Sequence, residues 1–194
     1  MVRAWASFPG RIYLDTSTLQ TVYDYGEVIW DGVALELAGR ASRVQGLAQE
    51  VDALRMIFLV NQRASFEFVV TEASLREVVG RGRPGYTQWV LDVGDTWLVQ
   101  LAGFGELTKA VGRAVFNEPR FGNVSVKDRK LLQDAVDTRC DAFLTIEEKL
   151  PKYAEFIERE TGLRVMRPTM YWALLDPWAA LYHCTRQPCH YAGD

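Results

Sequence analysis

Four short apolar segments of the sequence have the character of β-strands, and helical patterns separate each segment from the next. The segments cover residues 11–14, 66–70, 141–144 and 162–166. Between the first two, apolar residues from Val44 to Phe58 recur at spacings of three and four, which is the period of an amphipathic helix. Strands separated by helices cannot pair as hairpins, so we expect right-handed crossovers. The sequence therefore predicts an α/β fold in three α/β/α layers, with a central parallel sheet of about four to five strands.

The remaining helices and the domain limits follow from the same patterns. Helices are expected over residues 71–79, 89–101, 107–115, 125–136 and from 145 to about 161. With 194 residues, of which 48% are hydrophobic, the chain has enough apolar material for one core. We assign residues 1–170 to a single domain. Residues 171–194 form a C-terminal extension that packs on this domain, pairs with a second copy in a homodimer, or stays flexible.

The lengths of the apolar runs and the number of cysteines indicate the cellular compartment in which the protein is expected. The longest apolar runs, such as residues 56–60, are far shorter than the about 20 residues of a membrane-spanning helix. The N-terminus has no secretory pattern. Three cysteines are too few, and odd in number, for a disulfide framework, which indicates a reducing compartment. A cytoplasmic protein that does not enter a membrane is expected.

The C-terminal end concentrates residues that bind zinc in other proteins. It holds both histidines and two of the three cysteines, namely His183, Cys184, Cys189 and His190. The Cys-x4-Cys spacing is at the loose end for structural zinc, and no second pair exists elsewhere to complete a site. We therefore prefer a flexible end without metal to a zinc site.

Four acidic residues are expected at one edge of the predicted sheet. They are Asp15 after the first strand, Glu77 near the start of the helix after the second, Asp128 at the start of a later helix, and Glu147 after the third strand. The carboxyl ends of parallel strands share one edge, and open α/β sheets bind ligands there. Residues far apart in sequence are thus expected to lie close together.

Helix capping is the alternative explanation for each acidic residue taken singly, since helix N-termini favour Ser, Thr, Asp and Glu. Four segments have capping-box spacing or a close variant, and they begin at Ser17, Ser74, Ser125 and Thr145. In this interpretation Glu77, Asp128 and Glu148 are structural, and Ser17 and Thr145 are N-caps. Capping does not explain several carboxylates at one edge, where repulsion raises their pKa values unless a cation compensates. Mg²⁺ or Mn²⁺, which prefers carboxylate and water oxygens, resolves that conflict.

These residues also carry a resemblance to PIN domains. Residues 12–19, Ile-Tyr-Leu-Asp-Thr-Ser-Thr-Leu, resemble the opening strand and Asp-Thr-Ser turn of that family. Residues 71–77 are similar to its second motif, with Glu77 as the acid, and residues 128–145 resemble its third acidic helix and the following strand. The Thr-x-Asp of the family falls on residues 145–147, where this chain has Glu147. Residues 162–169 resemble the closing strand and proline turn, so the resemblance covers about Arg11 to Thr169.

The resemblance implies a PIN-like magnesium- or manganese-dependent endoribonuclease acting on single-stranded RNA. Asp15, Glu77 and Asp128 would hold one ion directly or through water, and Glu147 would hold a second ion or a coordinated water. Ser17 and Thr145 would orient the carboxylates or the water. Phosphate contacts are expected from four basic residues, Lys127, Arg129, Lys130 and Arg76. An antitoxin-like protein partner is also implied, since the family includes toxins of toxin–antitoxin pairs.

Three other functions remain open at the level of sequence. One is a catalytically weak PIN-fold scaffold that binds RNA or protein, another a phosphatase or phosphotransfer enzyme, and the third a structure-specific DNA nuclease. A net charge of -3 means that binding of any polyanion must use local basic patches. A nucleotide-cofactor enzyme is disfavoured because no glycine-rich loop follows the first strand. A Ser-His-Asp hydrolase is disfavoured because both histidines lie in the C-terminal end.

Overall fold

A computed structural model describes residues 8–37, 44–64, 66–97 and 115–179. Its strands form one sheet in which all neighbouring pairs are parallel, in the order β2-β1-β3-β4. They are β1 (Arg11–Leu14), β2 (Glu67–Val69), β3 (Ala142–Leu144) and β4 (Arg164–Met166). The expected α/β class and parallel sheet are confirmed, with four strands among the described residues.

Helices connect the strands and cover the sheet. Those with described bounds are α1 (Thr16–Asp24), α2 (Gly26–Trp30), α3 (Leu47–Asn61), α4 (Glu72–Gly80), α5 (Pro84–Trp97), α6 (Val126–Asp137), α7 (Ala154–Thr161) and α8 (Pro168–Ala179). Two 3₁₀ turns lie at Pro119–Phe121 and Leu150–Tyr153. Among the described helices, none is both long and apolar enough to cross a membrane.

Side chains of the strands alternate between two buried clusters, one on each face of the sheet. In β1, Ile12 and Leu14 belong to the first cluster and Tyr13 to the second. The first cluster includes side chains from α3 and α8, and the second includes side chains from α6 and α7. Coverage on both faces explains why the strand segments are continuously apolar rather than alternating with polar residues. The predicted three-layer arrangement is therefore present.

The helix expected from Thr145 is the main secondary-structure prediction that is wrong. Residues 145–149 contain no helix, and the chain passes through the 3₁₀ turn before α7 begins at Ala154. The Thr145 hydroxyl accepts a hydrogen bond from the backbone N–H of Glu147 at 3.1 Å, a local turn contact that competes with helix formation. Pro151 also lacks an N–H donor and restricts the residue before it.

Other helix predictions differ at their ends. The run from Val44 to Phe58 forms α3 three residues later at each end, and the helix expected over residues 89–101 begins earlier, as α5. Residues 98–101 of that prediction lie outside the described part of the chain. So do residues 107–114 of the following one.

The start of the predicted C-terminal extension lies inside α8. Tyr171, Trp172 and Leu175 are buried in the first cluster, and α8 packs against α3. Residues 171–179 therefore pack on the domain, within a helix that begins before residue 171. The rest of the predicted extension, residues 180–194 with His183, Cys184, Cys189 and His190, lies outside the described residues.

A buried carboxylate joins α3 to the start of α8. Glu50, with 3% of its surface exposed, accepts hydrogen bonds from the backbone N–H and the hydroxyl of Thr169, each at 2.9 Å. It also lies 2.9 Å from Nε of Arg167. Glu50 thus satisfies a backbone donor in the first turn of α8 and the charge of an arginine that follows β4.

Candidate acidic site at the carboxyl edge of the sheet

Asp15 occupies the centre of the carboxyl edge because β1 is an inner strand. Its backbone N–H continues the sheet to the carbonyl of Leu144 at 3.0 Å, and its extended backbone begins α1. Only 4% of its surface is exposed. Carboxylate oxygen Oδ2 accepts hydrogen bonds from the hydroxyls of Ser17 at 2.6 Å and Thr145 at 2.8 Å. These contacts from α1 and from the end of β3 fix its orientation.

Glu77 projects from the middle of α4, later in the helix than the sequence predicted. One carboxylate oxygen accepts a hydrogen bond from the Thr16 hydroxyl at 2.9 Å, next to Asp15 in the chain. The other lies 3.0 Å from Arg81, one helical turn further on, and Arg81 also contacts Gln20 of α1. Glu77 therefore bridges α1 and α4, with both oxygens already engaged.

Asp128 and Glu147 complete the predicted set from α6 and from the loop after β3. The backbone N–H of Asp128 donates to Ser125 Oγ at 3.1 Å, so the predicted N-cap at Ser125 is confirmed. This bond involves the main chain of Asp128 and does not use its carboxylate. Glu147 lies two residues after Thr145, in the turn where its backbone N–H donates to the Thr145 hydroxyl.

Three of the four predicted capping segments have a different role. The caps of α1 and α4 are Asp15 and Thr71, so Ser17 and Ser74 lie inside these helices, and no helix begins at Thr145. The Ser17 hydroxyl instead donates a hydrogen bond to the Asp15 carboxylate, and it accepts one from the backbone N–H of Ile146 at 3.2 Å. Ser17 and Thr145 thus tie Asp15 to the loop that carries Glu147, as expected of residues that orient the site acids.

The charges of the four acids interact. Burial raises the pKa of Asp15 above its usual range, hydrogen bonds from Ser17, Thr145 and Thr16 oppose the rise, and the charge of Asp128 adds to it. Burial is also the main cause that raises the pKa of Glu147, followed by the charges of Asp15, Asp128 and Glu77. The acidic neighbours of Asp15 and Glu147 therefore add to the cost of ionising these two carboxyls, a cost that a cation would relieve.

The donor atoms suit a hard cation, but they do not form a closed cage. Among the described residues, no three Asp, Glu, His or Cys side chains converge as one group of metal ligands. Mg²⁺ commonly keeps several waters and takes only one or two carboxylates, with substrate phosphate completing its shell. A Mg²⁺ or Mn²⁺ ion at this edge would therefore have to be hydrated and held partly through water.

Basic side chains lie beside the acids along α4 and α6. Three of the four predicted phosphate-binding residues, Arg76, Lys127 and Lys130, line a cavity of about 300 Å³ that also includes Glu77 and Arg81. The fourth, Arg129, lines a separate cavity of about 250 Å³, which shares Lys130. The acidic edge therefore continues into a positively charged groove.

A buried hydroxyl network beneath the edge was not foreseen. The Tyr13 hydroxyl lies 2.7 Å from Thr71 Oγ1 and 2.8 Å from Ser74 Oγ, and Thr71 donates to Asp134 at 2.8 Å. Burial raises the pKa of the Asp134 carboxyl. The network joins β1, which ends directly before Asp15, to α4 and α6, the helices that carry Glu77 and Asp128. Two sequence features could have indicated this network: Thr71 follows β2, and Asp134 is a second acidic residue in α6 after Asp128.

The raised pKa values make a prediction about stability and pH. A carboxyl whose pKa is higher in the folded than in the unfolded state stabilises the fold when protonated, and this contribution is lost as pH rises through the folded pKa. In EDTA, Asp15→Asn is therefore expected to gain stability relative to wild type as pH rises from about 4, the ordinary carboxyl range. Thermal unfolding of both proteins between about pH 4 and pH 7 checks this expectation. A difference that does not change with pH would contradict it.

No protein-family model matches the chain, and no curated protein and no solved structure matches it either. Function must therefore be inferred from the chemistry of the four acids, their hydroxyl partners and the basic groove.

Proposed function

We propose that this chain is a metal-dependent endoribonuclease of the PIN type, which hydrolyses phosphodiester bonds of single-stranded RNA with Mg²⁺ or Mn²⁺. The observation that carries the proposal is the environment of Asp15. It is a buried carboxylate at the centre of the carboxyl edge, held by two hydroxyls, with its pKa raised by burial and by the charge of Asp128. A buried charge is costly unless a cation compensates for it.

Each acid has a distinct part in this proposal. Asp15 would hold the ion directly, with Asp128 and Glu77 contacting it directly or through water. When bound, the ion would polarise the scissile phosphate and lower the pKa of a bound water. Attack of the water oxygen on phosphorus would break the bond to the leaving ribose oxygen, which would take up a proton from solvent. We assign the proton of that water to Glu147, because a carboxylate with a raised pKa is a better base near neutral pH.

The basic side chains of the groove next to Glu77 support a substrate with a phosphate backbone. Arg76, Lys127 and Lys130 would contact phosphates on one side of the scissile bond, and Arg129 would contact the strand further along α6. Phosphate contacts release counterions, so binding is expected to weaken steeply with salt. Nothing in these contacts reads the bases, which predicts little sequence preference from this groove.

Cleavage of labelled single-stranded RNA in Mg²⁺, Mn²⁺ or EDTA tests the proposal. We expect cutting with either ion, none in EDTA, and recovery when the ion is restored in excess. Single-stranded DNA, branched DNA and a small phosphomonoester serve as competing substrates. Preferential cutting of DNA would indicate a structure-specific DNA nuclease, and turnover of the small substrate alone would indicate a phosphatase. Absence of metal-dependent hydrolysis on every substrate would rule out the enzymatic function.

One arrangement favours a second candidate, a catalytically weak scaffold that binds RNA or protein. Both oxygens of Glu77 are engaged, by Thr16 and by Arg81, and Glu147 is longer than the Asp usual at its position in PIN domains. Inner-sphere binding by Glu77 would therefore have to use the lone pairs that these two contacts leave free. A scaffold would bind RNA equally well with and without metal and leave it uncut.

Protein partners remain part of the proposal. Met170 and Leu174 lie one turn apart on α8 and are 48% and 36% exposed, which gives this helix an apolar strip outside the core. Such a strip suits a second copy of the chain or an antitoxin-like protein. A cytoplasmic location, expected from composition, also remains a prediction.

A further inference from the structure

A basic cavity of about 300 Å³ lies between α4 and α6, adjoining the acidic site. Four of its lining residues are cations, one is a carboxylate and the others are small or apolar. They are Arg76, Arg81, Lys127, Lys130, Glu77, Ala73, Gly80 and Leu131. The volume is at the lower limit of small-ligand pockets, which are about 300–1,000 Å³. The cavity therefore suits a small, strongly anionic group.

The two lysines carry positive charge that no ion pair among the described residues neutralises. Arg76 pairs with Glu72 and Arg81 pairs with Glu77. Within the described part of the chain, Lys127 and Lys130 form no ion pair. The cavity thus has two lysines that can pair with a ligand, and two arginines that can contact a ligand in addition to their carboxylate partners.

The remaining lining residues add no polar side chain to the cavity. Gly80 has open space where a side chain would begin, and Ala73 and Leu131 present no polar group. The charges of Lys130 and Arg76 both lower the pKa of the partly buried Asp134 carboxyl against the effect of burial. Lys130 and Arg76 belong to the two helices that line the cavity, α6 and α4.

We infer that this cavity binds the terminal phosphate monoester of a nucleic-acid strand, an inference that rests on the proposed nuclease function. A phosphate monoester carries about -1.5 to -2 charges at neutral pH, with three strong acceptor oxygens. An internal phosphodiester carries a single negative charge and has only two free oxygens. The two lysines therefore favour a strand end over the interior of a strand. A 5′ or a 3′ end has the same chemistry, and the experiment distinguishes them.

Arg81 joins the cavity to the acidic site. Its guanidinium lines the cavity and lies 3.0 Å from the carboxylate of Glu77, whose other oxygen accepts from Thr16 beside Asp15. A phosphate in the cavity competes with Glu77 for Arg81 and leaves Glu77 to the cation. The strand end and the scissile bond are then adjacent, so the enzyme cuts close to a phosphorylated end.

Binding of short labelled oligouridylates in EDTA tests this inference without any contribution from cleavage. Fluorescence anisotropy compares strands with a 5′-phosphate, a 3′-phosphate or hydroxyls only, each labelled at the opposite end. We expect one phosphorylated end to bind at least about tenfold more tightly than its hydroxyl counterpart. The double variant Lys127→Ala/Lys130→Ala should lose this preference. Lys152→Ala, at an exposed lysine outside the cavity, should retain it.

Equal affinity for all three strands would overturn the inference, as would a preference that survives in the double variant. Thermal unfolding of the double variant confirms that it is folded, and both lysines are exposed, so little loss of stability is expected. Failure of the nuclease proposal gives a different result. A protein that prefers phosphorylated ends in EDTA but never cuts retains the cavity assignment and loses only the enzymatic one.

Discussion

Replacement of Asp15 by Asn is expected to lower metal-dependent RNA cleavage about a thousandfold or more, while the protein stays folded. Asn has nearly the same size, and its carbonyl oxygen still accepts hydrogen bonds from Ser17 and Thr145, which lie 2.6 and 2.8 Å from Asp15. The variant loses the negative charge assigned to the cation. A thousandfold effect corresponds to about 4 kcal/mol of transition-state stabilisation. Initial rates on labelled RNA and calorimetric titration with Mn²⁺ measure the two losses separately.

Asp24→Asn is the matched control, because it makes the same substitution in the same helix. Asp24 is exposed at the far end of α1 and pairs with Arg83 at 2.7 Å. This variant should cut RNA at nearly the wild-type rate and bind Mn²⁺ with unchanged affinity. Wild-type cleavage by Asp15→Asn would show that the acidic edge is not the catalytic site.

Glu50→Ala is expected to lower the free energy of unfolding by about 3 kcal/mol or more, the usual cost of removing one partner of a buried ion pair. The substitution leaves Arg167, whose side chain is 22% exposed, without its partner, and removes the acceptor for the N–H and hydroxyl of Thr169. For a domain of this size the melting temperature should fall by roughly 6–12 °C. Urea unfolding and calorimetry measure both quantities.

The control for this stability prediction removes a carboxylate from an exposed ion pair. Glu160 lies 2.8 Å from Arg159, with 36% and 66% of their side chains exposed. Pairs of this kind contribute about 0–1 kcal/mol, so Glu160→Ala should change stability little. Equal effects of Glu50→Ala and Glu160→Ala would show that the buried position of Glu50 contributes nothing to the fold.

The sheet could be predicted because each strand corresponds to a short, continuous apolar run in the sequence. In β1, three apolar residues end at Asp15, and the strand stops where the apolar run does. Helices between such runs leave parallel pairing as the main option, and parallel pairing brings the carboxyl ends together. The proximity of Asp15, Glu77, Asp128 and Glu147 therefore followed from topology before any side-chain contact was known.

The local roles of hydroxyl residues could not be predicted in the same way. Ser17 and Ser74 have capping spacing, but α1 and α4 begin two to three residues earlier, directly at the ends of β1 and β2. Strand ends, rather than capping sequences, fix where these helices start. The partners of these hydroxyls are distant: Thr145 and Asp15 are 130 positions apart, and Tyr13 and Ser74 are 61 apart. The spacing of residues within one helix or strand cannot indicate contacts between residues so far apart in the sequence.

The position of β1 has a consequence for how the molecule is made. Among the described elements the strand comes first in the sequence, yet it lies between β2 and β3, and one of the two hydroxyls that donate to Asp15 belongs to Thr145. During synthesis, β1 must wait until residues 142–145 have left the ribosome before its second edge can be filled. Such long-range pairing forms late. A nascent chain therefore completes the surroundings of Asp15 only after β3 and Thr145 have been synthesised.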